Sequence, residues 1–211
     1  MSGSNPVSIP VDSVELEGEL IVPDGASGLV IFAHGSGSSR KSPRNNYVAD
    51  VLRERGVGTL LFDLLTEAED RDRDNRFDIP LLTDRLVAAT AWLRDCPETT
   101  SLRYGYFGSS TGAASALRGA ARDATAIDAV VSRGGRVDLA TSVLEAVTAP
   151  VLLIVGGNDT QVLAVNRDAA DTLTGDTDLH VVEGAGHLFE GPGQLEEVAD
   201  VAADWFVAKL A

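Results

Sequence analysis

The sequence predicts an α/β fold: a mostly parallel central sheet with helices on both faces and an antiparallel strand pair at its N-terminal end. Short, continuously apolar runs such as Gly28 to Ala33 and Val151 to Val155 have the composition of strands buried on both faces. Longer stretches with helical spacing separate them, which is the connection parallel strands require. Residues 7–22 differ, because side chains alternate through Val14, Leu16, Gly18, Leu20 and Val22 as in a strand with one wet face.

The extended pair is expected over Val7 to Val11 and Val14 to Val22, closed by a turn at Pro23-Asp24-Gly25. Parallel strands are expected at Gly28 to Ala33, Gly58 to Asp63, Arg103 to Phe107, Ala126 to Ser132, Val151 to Val155 and Leu179 to Val182. Helices are expected near Tyr47 to Arg55, Ile79 to Arg94, Gly112 to Ala121, Leu139 to Val147, Leu163 to Leu173 and Leu195 to Leu210. The mixed-charge run Glu67 to Asp74 has no apolar period and reads as a solvated loop. Right-handed crossovers gather the strand-to-helix loops on one edge of the sheet, where such folds bind ligands. No repeat or linker divides the chain, so residues 1–211 are read as one domain. No insertion after Ser132 is long enough to form a lid, so an open site is expected.

Composition narrows the function classes. The net charge of −15 opposes binding to nucleic acid and to anionic membranes. No apolar run approaches the ~20 residues of a membrane-spanning helix, and Met1 to Pro6 lacks the basic start of a secretory signal, so a cytoplasmic protein is expected. The single cysteine, Cys96, excludes an intramolecular disulfide and reads as a packing residue at a helix end. Oligomeric state is left open by the sequence.

The chemistry-bearing residues fall on the ligand edge. Strand Tyr104 to Phe107 runs through Gly108-Ser109-Ser110-Thr111-Gly112 into an alanine-rich helix, which is G-x-S-x-G in a strand–turn–helix setting. A nucleophile on a tight turn needs small flanking residues, and the helix N-terminus favours developing negative charge. The competing reading is a helix cap made by Ser109 or Ser110. Ser110, centred between the glycines, is the stronger candidate. A serine hydroxyl needs a base, and the base needs a partner to fix its tautomer. His187, in the glycine-rich loop after the last strand, is the candidate base, whereas His180 lies inside a strand pattern and reads as structural. Asp159 follows Gly156-Gly157-Asn158 one strand earlier; by itself it reads as turn chemistry, yet the order Ser110, Asp159, His187, each after a different strand, is that of a hydrolase triad.

Acyl transfer also needs donors for the carbonyl oxygen. The backbone N–H groups of Thr111 and of Ser36, in His34-Gly35-Ser36-Gly37, are expected to supply them, with His34 orienting the loop. A nucleotide-type phosphate loop is disfavoured, because neither G-x-G-x-x-G nor a G-K-S/T ending is present.

These four motifs together resemble the α/β-hydrolase superfamily, specifically its compact dienelactone-hydrolase-like branch, over about Gly28 to Phe206. The chain also looks like short hydrolase domains that occur fused to a phosphoribosyltransferase, although no such second domain is expected here. Branch members with dienelactone activity use cysteine where this chain has Ser110. The resemblance therefore implies a serine hydrolase acting on a small-molecule carboxylic ester through an acyl-enzyme, with no metal or organic cofactor. A thioesterase, lactonase or small peptidase would use the same triad, and a noncatalytic binding relative is the alternative from another class. His34, Gly35 and Arg133 are the candidate substrate-contacting residues. Arg40, Lys41, Arg44, Arg133 and Arg136 fall near the ligand edge, which suggests an anionic group on the substrate; the alternative is that they pair with the abundant aspartates.

The chain has two lysines, Lys41 and Lys209, among many carboxylates, a composition similar to proteins of salt-loving organisms, where salt screens self-repulsion. The expected outcome is a higher Tm in molar salt than in dilute buffer, read by thermal melting. Equal values in both would remove the idea.

Overall fold

Apolar side chains repeating on both sides of successive strands build one eight-stranded sheet in the order β1-β2-β4-β3-β5-β6-β7-β8. The computed structural model describes residues 5–122 and 127–211. Strands β1 (Asn5–Val11) and β2 (Val14–Ile21) pair antiparallel, and β2 also meets β4 antiparallel. Strands β3 (Gly28–Ala33), β4 (Gly58–Phe62), β5 (Arg103–Ser109), β6 (Ala129–Arg133), β7 (Val151–Gly156) and β8 (Thr177–Val182) run parallel. β1 carries Pro6 and Pro10 within its paired span, at the outer edge of the sheet.

Period-two alternation sends neighbouring residues to opposite faces. Phe32, Phe107, Val131 and Ile154 pack with helices α1 (Pro43–Glu54) and α6 (Gln194–Leu210) through Val48, Leu52, Ala202 and Phe206. Ile31, Tyr106, Val130 and Leu153 pack on the other side against α3 (Ile79–Asp95), α4 (Thr111–Arg122), α5 (Thr160–Thr172) and a run of 3-10 turns over Val137–Ala146. Each fully buried side chain of this size contributes about 1.5–3 kcal/mol relative to exposure. Close approach of α6 depends on Gly105, where a Cβ would lie 2.6 Å from a ring carbon of Phe206.

Helix starts follow local chemistry more closely than apolar spacing. α1 begins at Pro43, because Ser42 accepts the Asn45 N–H and proline suits the first helical turn. The apolar period becomes visible only at Tyr47, which is why the sequence places the start there. The stretch expected as helix at Leu139 to Val147 winds instead as 3-10 turns from Val137. β6 ends at Arg133 and so includes that residue, while Ala126, its expected first residue, lies outside the described residues. The run expected as a solvated loop contains a one-turn helix, α2 (Glu67–Asp70), closed by a reciprocal cap between Thr66 and Glu69. Glu69 also pairs with the buried Arg85 at 2.8 Å. Burial opposes its ionisation, but hydrogen bonds from Thr66 and the charge of Arg85 hold its carboxyl below the usual value. No helix among the described residues is long and apolar enough to cross a membrane.

The chain leaves β3 toward β4 on one side and reaches β5 on the other, so the C-terminal end of β3 is a topological switch point. The residues singled out in the sequence meet there.

Candidate active site

Backbone crowding shapes the turn between β5 and α4. A Cβ on Gly108 would lie 2.4 Å from the Ala113 Cα, and one on Gly112 would lie 2.1 Å from the Ala33 carbonyl oxygen. Between them Ser110 adopts φ +51°, a left-handed conformation that costs a non-glycine residue about 1–3 kcal/mol. Its backbone is held on both sides: the Ser110 N–H donates to the Arg133 carbonyl at 3.0 Å, and the Arg136 N–H donates to the Ser110 carbonyl at 3.0 Å. Ser109, the weaker nucleophile candidate, is buried and donates from Oγ to Asn45 Oδ1 at 3.0 Å, which ties α1 to the turn. Asn45 has no motif around it and escapes sequence reading.

His187 lies in the loop after β8, anchored two residues later by buried Phe189 at φ +53°. Its Nδ1 is 2.7 Å from Asp159 Oδ2, and its Nε2 is 3.2 Å from Ser110 Oγ. Asp159 occupies the N-cap position of α5 yet makes no capping bond with its side chain, so the carboxylate is directed at the imidazole. That arrangement places the proton on Nδ1 and leaves Nε2 to accept from the serine hydroxyl. The His187 side chain is 39% exposed, so solvent reaches it directly. His180 pairs with Glu197 at 2.7 Å on the surface.

The loop after β3 differs from expectation at one atom. The Thr111 N–H opens α4, where it has no intrahelical acceptor. The Ser36 N–H, expected as a free oxyanion donor, instead donates to Thr111 Oγ1 at 2.8 Å. The cause is close packing: a Cβ on Gly35 would lie 3.2 Å from Ser110 Cβ and 3.1 Å from the Ser109 carbonyl oxygen, so the loop rests directly on the nucleophile turn. His34 is buried and spends both ring nitrogens on backbone, its Nε2 accepting the Leu64 N–H at 3.0 Å and its Nδ1 meeting the Gly35 carbonyl at 3.0 Å. It is therefore a clamp between the ends of β3 and β4, and Gly35 is the residue that faces Ser110. A cavity of about 430 Å³ opens beside this loop, lined by His34, Ser38, Arg40, Asp63 and Thr66 among others.

The four arginines at this edge divide into two kinds, while Lys41 is exposed. Arg40 pairs with Asp63 and Glu17, Arg44 with Glu190, and Arg136 with Asp138. Arg133 is buried, its Nε and Nη1 have no hydrogen-bond partner, and its guanidinium sits 5.9 Å over the Phe189 ring. Burial, with a smaller contribution from the like charge of Arg44, pulls its pKa down to about 10, still protonated at neutral pH. Among the described residues no three His, Cys, Asp or Glu side chains gather as a metal-binding group.

Residues 47–208 match the dienelactone hydrolase family. Two Mycobacterium tuberculosis proteins that carry the name phosphoribosyl transferase are 54% identical over 204 residues, 97% of this chain but 46% of theirs. The chain thus spans about half the length of the curated relatives it matches. The crystal structure of a dienelactone hydrolase from Anabaena variabilis is 52% identical, with a TM-score of 0.98 over 100% of this chain and 99% of that one. Est1E from Butyrivibrio proteoclasticus shares the fold, with a TM-score of 0.83 at 16% identity over 97% and 98% of the two chains.

Burial lowers the pKa of His34 below 6.5, outweighing the bond to Gly35 and the charges of Asp63 and Asp70. Between the lowered value and 6.5 the unfolded chain binds a proton that the native state refuses, so stability falls as pH drops below 6.5. His34→Gln keeps an acceptor for the Leu64 N–H and does not titrate. Wild type is expected to lose more stability than this variant between pH 7.5 and 5.5 in urea titrations; parallel losses would contradict the clamp.

Proposed function

The chain belongs to the dienelactone hydrolase family, and from that premise we propose that it is a serine hydrolase cleaving a carboxylic ester through an acyl-enzyme. The observation that carries this reading is one imidazole bridging two groups, with Nδ1 at the Asp159 carboxylate and Nε2 at the Ser110 hydroxyl. Ser110 Oγ attacks the ester carbonyl as its proton passes to His187 Nε2. The carbonyl oxygen takes the electron pair at the start of α4, then returns it as the alcohol leaves with the proton from His187. Water, deprotonated by the same nitrogen, then attacks the acyl carbon, and the bond to Ser110 Oγ breaks as that oxygen takes the proton back from His187, releasing the acid. Asp159 stabilises the imidazolium formed in both halves. The transferase name belongs to proteins about twice as long, and nothing in the site geometry calls for ribosyl transfer.

Substrate preference follows from the buried cation that lacks a carboxylate. A buried guanidinium with two unsatisfied donor nitrogens costs stability unless something compensates it. Arg133 adjoins the nucleophile turn through its backbone and the His187 loop through Phe189, which supports an ester carrying an anionic group as the substrate.

Two measurements check these assignments. A fluorophosphonate probe is expected to label wild type and not Ser110→Ala, with esterase activity down about 10⁶-fold in the variant; a folded wild type that is never labelled would point to a binding protein instead. Arg133→Met is expected to raise Tm while lowering kcat/KM for an anionic ester at least about ten-fold, equal to about 1.4 kcal/mol, with its neutral counterpart changed less than about two-fold. Equal losses on both esters would remove the anionic substrate.

A further inference from the structure

The Ser36 N–H cannot give its full strength to a substrate oxygen while it is bonded to Thr111 Oγ1. That bond fixes the threonine hydroxyl as an acceptor, so its own proton is left to be donated elsewhere. Threonines inside helices commonly return this proton to the carbonyl four residues back, as Thr83, Thr90 and Thr172 do here. Thr111 is the first residue of α4, and the residue four back, Phe107, lies in β5, where the backbone is committed to the sheet. Nothing in the described hydrogen bonding takes the Thr111 hydroxyl proton. The side chain is buried and touches the loop that rests on the nucleophile, with Oγ1 3.8 Å from the position of a Cβ on Gly35.

We infer that the Thr111 hydroxyl is itself an oxyanion donor, acting with the Thr111 N–H, and that the Ser36 N–H serves to aim and polarise it. The inference rests on the serine-hydrolase reading above. When Ser110 Oγ bonds to the carbonyl carbon and its proton moves to His187 Nε2, the C=O electron pair becomes a full charge on oxygen. Two donors on one residue then meet that charge, one from the backbone and one from the side chain. Collapse of the intermediate restores the double bond, expels the alcohol with the His187 proton and returns the hydroxyl to rest. Accepting a hydrogen bond from Ser36 makes the hydroxyl a better donor, since chained hydrogen bonds polarise one another.

The alternative is that the hydroxyl only occupies the Ser36 N–H until substrate displaces it. The two roles predict opposite results for Thr111→Val, which keeps the branched shape and loses the oxygen. With p-nitrophenyl acetate, a donor role lowers kcat about 10²- to 10³-fold, the usual loss for one oxyanion donor, with KM within about two-fold. A trifluoromethyl ketone, whose adduct carries the same oxyanion, should bind more weakly by a similar factor. Thr111→Ser should recover most of the lost rate. Activity of Thr111→Val equal to or above wild type would overturn the inference, because the freed Ser36 N–H would then suffice. So would a loss that appears in KM alone. Thermal melting separates these outcomes from misfolding, and Thr111→Ala, which also lacks the oxygen and is read by the same outcomes, keeps the test decisive if the valine variant does not fold. Fluorophosphonate labelling of wild type, measured alongside, distinguishes failure of this inference from failure of the serine-hydrolase reading, which would take both down.

Discussion

Everything at the functional edge depends on how closely three pieces of backbone approach one another around Ser110. The end of β3, the turn after β5 and the start of α4 come near enough that Gly108 and Gly112 admit no side-chain carbon, and Gly35 admits one only in tight contact. That crowding forces Ser110 into its left-handed conformation and lifts its hydroxyl out of the sheet edge toward His187. The strain is carried by hydrogen bonds from two sides, the Ser110 N–H to Arg133 and the Arg136 N–H to Ser110, and by the buried sheet beneath. A looser turn would relieve the strain and lose the alignment.

The electrostatics of the site run against those of the chain. A protein with a net charge of −15 keeps most of its arginines paired to carboxylates on the surface, where such pairs contribute little. Beside Ser110 it leaves Arg133 buried, with Nε and Nη1 unpaired. The neighbouring Arg44 worsens rather than relieves the cost, since its own partner is Glu190. Local positive potential is thus preserved beside Ser110, inside a molecule whose overall field repels anions.

Most of the parallel sheet was legible because buried strands leave continuous apolar runs, and five such runs correspond to β3 through β7, while the edge strand β8 is largely half-exposed. The meeting of Ser110, Asp159 and His187 was legible because glycine-framed turns after three of the parallel strands, β5, β7 and β8, must emerge on the same edge. The helical segments failed where apolar period and local chemistry disagree: the Ser42 cap and Pro43 start α1 a turn early, and α2 has a cap but no apolar face. The engagement of Ser36 by Thr111 was out of reach, since it depends on loop-to-turn distance rather than on residue type. The separation of Arg133 from its paired neighbours was hidden for the same reason, because only packing decides which arginine meets a carboxylate.

The proline placement in β1 has a consequence for the outer rim of the sheet. Pro6 and Pro10 sit within a strand that pairs fully with β2, so the amide hydrogens they lack are those that would have pointed outward. A foreign strand docking along that rim would find two of its carbonyl partners missing, which discourages templated stacking of one copy on another. A highly acidic surface keeps copies apart at long range, and this rim gives an approaching backbone little to grip at short range.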